Sequence, residues 1–232
     1  MGTLGHKKVI VIIPAYNEEE KIAAVIKEVK PNVDEVVLVD DGSDDRTVEL
    51  AQKQEVIVLR HLFNRGQGAA LETGNQYALK QGADIIVHFD ADGQFLAGEI
   101  KNIIKPIENG EAEVVLGSRF MGKKSNIPWL KKNIIFPLAR KVNRLMGINL
   151  TDPQSGFRAF SRRVNEQLRI EQDGSAHCSE ILNKIFYYKF TVKEISITVI
   201  YKDFGQSFFR GKGRGMGGIR IVKDLILAKL IN

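Results

Sequence analysis

Residues 84–94 read Asp-Ile-Ile-Val-His-Phe-Asp-Ala-Asp-Gly-Gln, an apolar run that leads directly into two carboxylates. A short apolar run bounded by a polar turn is typical of a strand buried on both faces of a sheet. Residues 8–18 and 36–44 repeat the arrangement, since each apolar run ends in polar side chains. The carboxyl ends of parallel strands lie at one edge of a sheet, where ligands bind. The three polar clusters are therefore expected to meet there.

Helical patterns separate these strands. Between residues 18 and 30, for example, Ile22, Val25, Ile26 and Val29 fall on one helical face. Strands are predicted over 8–14, 36–39, 55–59, 84–89, 112–116 and 194–201, and helices over 18–30, 45–54, 66–81, 98–109 and 219–231. Strands and helices that alternate with short links predict an α/β fold with a mostly parallel central sheet and helices on both faces.

The composition narrows the classes of protein that fit. The 232 residues are 44% hydrophobic and 27% charged, as in an ordinary globular protein. No apolar run approaches the ~20 residues of a membrane-spanning helix. Cys178 is the only cysteine, which excludes a disulfide framework and a multi-cysteine metal site. The net charge of +6 indicates an anionic partner, which is a nucleotide, a nucleic acid or a membrane surface.

Asp90 and Asp92 predict a metal site. Two carboxylates that point into one site repel each other unless a cation lies between them. Oxygen ligands favour Mg²⁺ or Mn²⁺, and Mg²⁺ commonly combines one or two carboxylates with substrate phosphate oxygens. Gln94 is a candidate third ligand. In the alternative interpretation the acids only cap the following helices, which explains Ser43, Asp44 and Asp45 equally well.

Six segments carry a resemblance to a known family. They are Pro14-Ala15-Tyr16-Asn17-Glu18, Asp40-Asp41-Gly42-Ser43, Asn64-Arg65-Gly66-Gln67-Gly68, Asp90-Ala91-Asp92-Gly93-Gln94, Gly117-Ser118-Arg119 and Asp152-Pro153-Gln154-Ser155-Gly156. In these segments the chain resembles glycosyltransferase family 2, and most closely its polyprenyl-phosphate (dolichyl-phosphate) hexosyltransferases, such as the dolichyl-phosphate mannose synthases. The resemblance implies a GT-A fold, a nucleoside-diphosphate sugar donor and an inverting transfer.

The resemblance also implies roles for individual residues. The nucleotide-sugar site would comprise Pro14, Ala15, Tyr16, Glu18, Asp41, Gly68, Asp90, Ala91, Asp92, Gln94 and Arg119, with Asp90, Asp92 and Gln94 at the metal. Glycine in the 66–68 loop lets the backbone approach the nucleotide. Residues 201–207 lack the arginines expected of mannose synthases, so a uridine-linked donor is as well supported as a guanosine-linked one.

Residues 119–151 contain basic and apolar side chains and no acidic ones. This mixture, concentrated between Lys123 and Arg144, suits an interfacial zone on an anionic membrane. It predicts a polyprenyl phosphate acceptor and a peripheral location at the cytoplasmic face of the membrane. The alternative is a pair of helices that cover the core with a solvated basic face. Nucleic acid is not expected, because stacking aromatic residues are few.

A phosphate acceptor needs cations more than it needs a general base. Its second pKa is about 6, so it is mostly dianionic at neutral pH. The candidate cations are Arg119, Arg158 and Lys202, and the acids expected near the reacting centre are Asp152 and Glu180. His88, His177 and Cys178 are interpreted as structural.

We expect one GT-A catalytic domain over residues 1–232. Residues 1–118 would bind the donor, residues 119–218 the acceptor, and residues 219–232 would form an amphipathic helix. Three other functions remain open: a family 2 transferase acting on a glycan or protein, a sugar-1-phosphate nucleotidylyltransferase, and a non-catalytic nucleotide-sugar sensor.

Overall fold

The computed structural model describes residues 6–121 and 150–200. Seven strands form one sheet: β1 Val9–Ala15, β2 Glu35–Asp40, β3 Ile57–Arg60, β4 Ile85–His88, β5 Val114–Ser118, β6 Arg158–Ser161 and β7 Val192–Ser196. Six α-helices are described: α1 Ile22–Val29, α2 Thr47–Gln52, α3 Gln67–Lys80, α4 Ile100–Glu108, α5 Arg162–Gln167 and α6 His177–Tyr187. Short 3-10 turns follow α1 and precede α4.

The strand order is β3-β2-β1-β4-β6-β5-β7. Only β6 runs antiparallel to its neighbours, β4 and β5, and the other pairings are parallel. The mostly parallel sheet predicted from the sequence is therefore confirmed. Neither β6 nor helices α5 and α6 were predicted. Strand β6 is only four residues long and contains the buried Arg158, so no apolar run marks it.

Apolar layers cover both faces of the sheet, as predicted. In β1, Val9, Val11 and Ile13 join the layer formed with α1, α2 and α4. Ile10 and Ile12, which point to the opposite face, join the layer formed with α3, α5 and α6. A central strand buried on both sides explains why the run is apolar at every position rather than at alternate ones.

Several helices and strands begin or end at residues other than those predicted from the sequence. The helix expected from residue 45 begins at Thr47, because the Asp45 carboxylate accepts hydrogen bonds from the Thr47 amide and hydroxyl. Asp45 thus holds the start of α2 from just before its N-cap residue, Arg46, and also accepts a hydrogen bond from the Glu19 amide at 3.1 Å. The strand expected over 194–201 is β7, which ends at Ser196; beyond it Val199 makes one antiparallel bridge to Phe95.

In the ranges 6–121 and 150–200, no helix has the length and apolar character needed to cross a membrane. The predicted interfacial zone 123–144, the candidate cation Lys202 and the predicted helix 219–231 lie outside the described residues.

Candidate active site

A cleft of roughly 350 Å³ lies at the carboxyl ends of β1, β2 and β4. Its lining includes most of the predicted nucleotide-sugar residues: Pro14, Ala15, Tyr16, Glu18, Asp41, Asp90, Ala91 and Asp92. It also includes Gly66, from the loop predicted to approach the nucleotide, and three residues to which no individual role was given: Asn64, Gln67 and Ala70. The strand ends therefore meet at one edge, as the sequence pattern predicts.

The loops after β1 and β2 hold each other in place. The Asn17 amide donates to Ser43 Oγ at 2.9 Å, and the Glu18 amide donates to Thr47 Oγ1 at 2.8 Å. Asn17 has a positive φ of 55°, a conformation that asparagine tolerates better than most residues. These contacts fix the wall of the cleft that Tyr16 and Glu18 form.

Asp41 anchors the loop that precedes α3. Its Oδ1 accepts hydrogen bonds from the Arg65 amide at 3.0 Å and from His61 Nδ1 at 2.7 Å, and its Oδ2 accepts one from the Gly66 amide at 2.6 Å. A second ring nitrogen of His61 lies 2.9 Å from Thr73 Oγ1. A carboxylate has about four acceptor positions, so Asp41 can accept one more hydrogen bond from a ligand.

Gly68 does not line the cleft. A Cβ at this position would collide with the Gln172 carbonyl oxygen, and the Gly68 amide donates to the Asp173 carbonyl at 2.8 Å. The close approach that requires glycine is therefore made by the 172–173 backbone rather than by a nucleotide. The prediction that Gly68 approaches the nucleotide needs this correction.

Asp90 and Asp92 lie together after β4. Burial, and next the neighbouring Asp92 carboxylate, raise the pKa of Asp90 to about 7. Asp90 Oδ1 accepts a hydrogen bond from Gln67 Nε2 at 2.9 Å, and Asp92 Oδ1 accepts one from the Gln94 amide at 3.0 Å. Gly156 packs so closely on Asp90 that a Cβ there would collide with the carboxylate.

The two carboxylates suit Mg²⁺ or Mn²⁺, since they are hard oxygen ligands whose mutual repulsion a cation relieves. Within the described ranges, no cluster of three or more His, Cys, Asp and Glu side chains is arranged to hold a metal ion. A cation bound by Asp90 and Asp92 therefore needs further oxygen ligands, for which the Gln94 side chain and substrate phosphates are the candidates.

Arg119 and Asp152 form a second, separate cluster. Asp152 Oδ2 accepts hydrogen bonds from Arg119 Nε at 2.5 Å and from the Arg119 amide at 3.1 Å. The Asp152 side chain is only 2% exposed and that of Arg119 11%. Burial raises the pKa of Asp152, although the Arg119 guanidinium opposes the shift. The carboxylate therefore fixes the plane of the guanidinium, which is the group suited to binding a phosphate.

Arg158 lies in the interior behind Asp90. It is 1% exposed, donates from Nε to the Ser155 carbonyl at 2.5 Å, and places Nη2 3.1 Å from Cys178 Sγ. Burial alone would raise the pKa of the Cys178 thiol, but Arg158 and His177 lower it to about 6. The buried Arg158 guanidinium therefore supports the interior through Ser155 and Cys178. This position is less suited to the phosphate contact that was predicted for Arg158 from the sequence.

The structure does not bring Glu180 into the cleft lining. Its carboxylate accepts hydrogen bonds from the amides of Glu171 and Gln172 and pairs with Lys184 at 2.7 Å. Glu180 thus holds the backbone segment that packs on Gly68. These contacts give Glu180 a supporting role for α3 and α6, and its place near the reacting centre stays a prediction.

Sequence reasoning missed Gln67, His61 and Glu194. Gln67 lies inside the motif 64–68 that carries the resemblance, so its position was available as a signal. His61 and Glu194 act on motif residues through side-chain contacts 20 and 42 to 43 positions away along the chain, and no local pattern marks them.

Comparison with known proteins places the chain among related sequences. A family model described as glycosyl transferase family 2 matches residues 10–169. The UDP-N-acetylglucosamine–dolichyl-phosphate N-acetylglucosaminyltransferase of Methanococcus voltae is 36% identical, over 98% of this chain and 98% of its own length. The polyprenol monophosphomannose synthase of Mycolicibacterium smegmatis is 30% identical, over 88% of this chain and 82% of its own length.

Solved structures show the same fold. Glucosyl-3-phosphoglycerate synthase from Mycobacterium tuberculosis, in complex with Mn²⁺, UDP-glucose and phosphoglyceric acid, superimposes with a TM-score of 0.71. The match covers 97% of this chain and 83% of that one at 20% identity. The GT-A fold expected from the resemblance is thereby confirmed.

Proposed function

Because the chain belongs to glycosyltransferase family 2, and is therefore a glycosyltransferase, we propose that it moves a hexose from a nucleoside-diphosphate sugar to a polyprenyl phosphate, with inversion at the sugar carbon. One observation carries the proposal. The cleft that holds Asp41, Asp90 and Asp92 is distinct from the cluster in which Asp152 orients Arg119. The first suits a donor with a diphosphate, and the second suits an anionic acceptor.

Carboxylates in the cleft can only accept hydrogen bonds, and this limits which parts of a nucleotide sugar they can bind. Asp41 can accept one further hydrogen bond, and both uracil and guanine present a ring N–H that donates. This acceptor is compatible with the uridine- or guanosine-linked donor that we propose, and the residues of the cleft do not separate the two. Tyr16 is 37% exposed at the cleft, so its ring is accessible to a base or sugar.

Asp90 and Asp92 would hold Mg²⁺ or Mn²⁺ together with the donor diphosphate. When bound, the cation offsets charge that develops on the leaving diphosphate. The chain's own contribution is to keep the two carboxylates adjacent. Gln67 and Gly156 confine Asp90, and the Gln94 amide fixes Asp92.

The hydrogen bonds of Asp152 bear on which kind of sugar acceptor the site can use. A sugar hydroxyl must lose a proton during attack, so it needs a general base. Asp152 accepts two hydrogen bonds from Arg119 at Oδ2, and although burial raises its pKa, the Arg119 guanidinium opposes protonation, so we assign it to holding a cation rather than to taking a proton. A phosphate oxygen is already anionic and needs only the cation. This difference favours a phosphate acceptor over a glycan or protein hydroxyl.

The names of the relatives support the same acceptor class. The Methanococcus voltae relative is named for transfer to dolichyl phosphate, and the Mycolicibacterium smegmatis relative for synthesis of polyprenol monophosphomannose. A lipid acceptor implies peripheral contact with an anionic membrane, which we place at the cytoplasmic face. We propose no nucleic-acid partner.

The test is transfer of labelled sugar from a panel of UDP- and GDP-sugars, with Mn²⁺, Mg²⁺ or a chelator present. Polyprenyl phosphate, the matched polyprenol without phosphate, and a short glycan serve as acceptors. We expect cation-dependent label in polyprenyl phosphate and none in polyprenol. Label in the glycan with none in the lipid would overturn the proposed acceptor and favour the alternative, a family 2 transferase acting on a glycan or protein.

A further inference from the structure

Glu194 on β7 holds the Thr151–Asp152 segment. Its carboxylate accepts hydrogen bonds from the Thr151 amide at 2.9 Å, from Thr151 Oγ1 at 2.9 Å and from the Asp152 amide at 3.0 Å. Three donors from two consecutive residues thus converge on one side chain. Oε1 accepts all three hydrogen bonds, and Oε2 also lies 2.9 Å from the Thr151 amide. A carboxylate presents only acceptors to these donors, whereas an amide side chain would place an NH₂ donor at the second position.

The same segment is tied to β5. Thr151 Oγ1 lies 2.6 Å from Ser118 Oγ, and the Phe120 amide donates to Ser118 Oγ at 3.2 Å. Arg119 stands between Ser118 and Phe120 and is itself held by Asp152. Glu194 therefore lies at the start of a chain of contacts that leads through the 151–152 peptide to the Arg119 guanidinium.

The far end of this segment is fixed by other means. Gly156 packs on the Asp90 carboxylate, and the Phe157 carbonyl accepts a hydrogen bond from the Gly117 amide at 2.9 Å. A change at Glu194 should consequently release the 151–152 end while the contact with Asp90 persists. The donor cleft, to which neither Glu194 nor Thr151 contributes lining, should keep its shape.

We propose that Glu194 is a positioning residue for the transfer reaction. By fixing the Thr151–Asp152 peptide, it sets the direction in which Asp152 presents Arg119 to the acceptor phosphate. The inference rests on the proposed function, since it requires a phosphate acceptor at Arg119. Glu194 touches neither the cleft nor Arg119, so its effect is transmitted through Asp152.

The test compares Glu194→Gln and Glu194→Ala with Glu113→Gln. Glu113 is a matched control because it accepts hydrogen bonds from the amide and hydroxyl of Thr191, at 3.0 and 3.2 Å, at the opposite end of the same strands. Each variant is measured for sugar transfer to polyprenyl phosphate, for UDP and GDP affinity by calorimetry, and for thermal unfolding. Thr151→Val, which removes the hydroxyl contacts to Glu194 and Ser118 but keeps the amide bond to Glu194, supplies a milder second test.

We expect kcat/KM for the acceptor to fall about 10- to 100-fold in Glu194→Ala, because small displacements of a positioning group are costly. Glu194→Gln should recover part of the loss, since one acceptor oxygen remains. Nucleotide affinity should stay at the wild-type value in both, and Glu113→Gln should match the wild type in every activity measurement.

Two kinds of failure are distinguishable. If the wild type does not transfer to polyprenyl phosphate, the proposed function falls and this inference falls with it. If the wild type transfers while both Glu194 variants keep the acceptor kcat/KM of Glu113→Gln, only the role of Glu194 is overturned. Equal losses in nucleotide affinity and acceptor kinetics would also overturn it, as would unfolding of both Glu194 variants together with wild-type acceptor kinetics in Thr151→Val.

Discussion

The donor cleft and the Arg119–Asp152 cluster are built in different ways. The cleft takes its carboxylates from the ends of adjacent parallel strands, a place that every such sheet supplies. The cluster depends on side chains that reach across 33 and 43 positions of sequence, from Asp152 to Arg119 and from Glu194 to Thr151. The proposed donor site thus follows from the architecture, whereas the proposed acceptor site depends on individual long-range contacts.

The largest expected effect is at the donor cleft. Asp92→Asn should lower sugar transfer by about 10³-fold, because it removes one of two carboxylates that would hold the cation and diphosphate. The fold should survive, since asparagine keeps an oxygen to accept the Gln94 amide. Transfer rates and thermal unfolding, measured at saturating Mn²⁺, check both expectations.

Asp84→Asn is the matched control for that variant. Asp84 precedes β4, whereas Asp92 follows it, and its Oδ2 likewise accepts a hydrogen bond from a backbone amide, that of Lys8, at 2.8 Å. The control should transfer sugar at the wild-type rate. If Asp92→Asn is as active as Asp84→Asn, the assignment of the cation site to Asp90 and Asp92 is wrong.

A smaller effect, on the pH dependence of stability, is expected at Cys178, which lies beside Arg158 behind Asp90. Arg158 and His177 lower the pKa of Cys178 to about 6 despite its burial, against the 9.0 of an ordinary thiol. The folded-state pKa is thus below the unfolded one, so the stability that the thiolate contributes is present above pH 9 and is lost as pH falls towards about 6. The difference in free energy of unfolding between the wild type and Cys178→Ser should therefore shrink over that interval.

The titration can be followed directly, because Cys178 is the only cysteine in the chain. Thiolate absorbance in the ultraviolet, with Cys178→Ser as the blank, should rise with a midpoint near pH 6. His177→Asn should move the midpoint upward, since the ring lowers the thiol pKa. A wild-type midpoint at or above that of a free thiol would show that Arg158 and His177 do not stabilise the thiolate.

The contrast between the regions also explains what the sequence could predict. Strands β1, β2 and β4 are apolar at nearly every position, so they and their polar ends were recognised. Arg119 and Asp152 were identified through the family motifs, but their mutual contact was not, because pairing between distant residues leaves no local pattern. Gly68, which lies in a family motif, was assigned to the nucleotide, although the structure packs it on the 172–173 backbone. Motif membership alone does not separate a ligand contact from a packing contact.

The most direct test of the account is a grid of initial rates over donor and acceptor concentrations for Asp41→Asn and Arg119→Lys. Asp41→Asn should raise the donor KM about tenfold, the size of a lost hydrogen bond to a charged group, and leave the acceptor KM unchanged. Arg119→Lys keeps the charge but loses the planar guanidinium, so it should raise the acceptor KM about tenfold and leave the donor KM unchanged. If both substitutions raise the same KM, the division into a donor cleft and an acceptor cluster is contradicted.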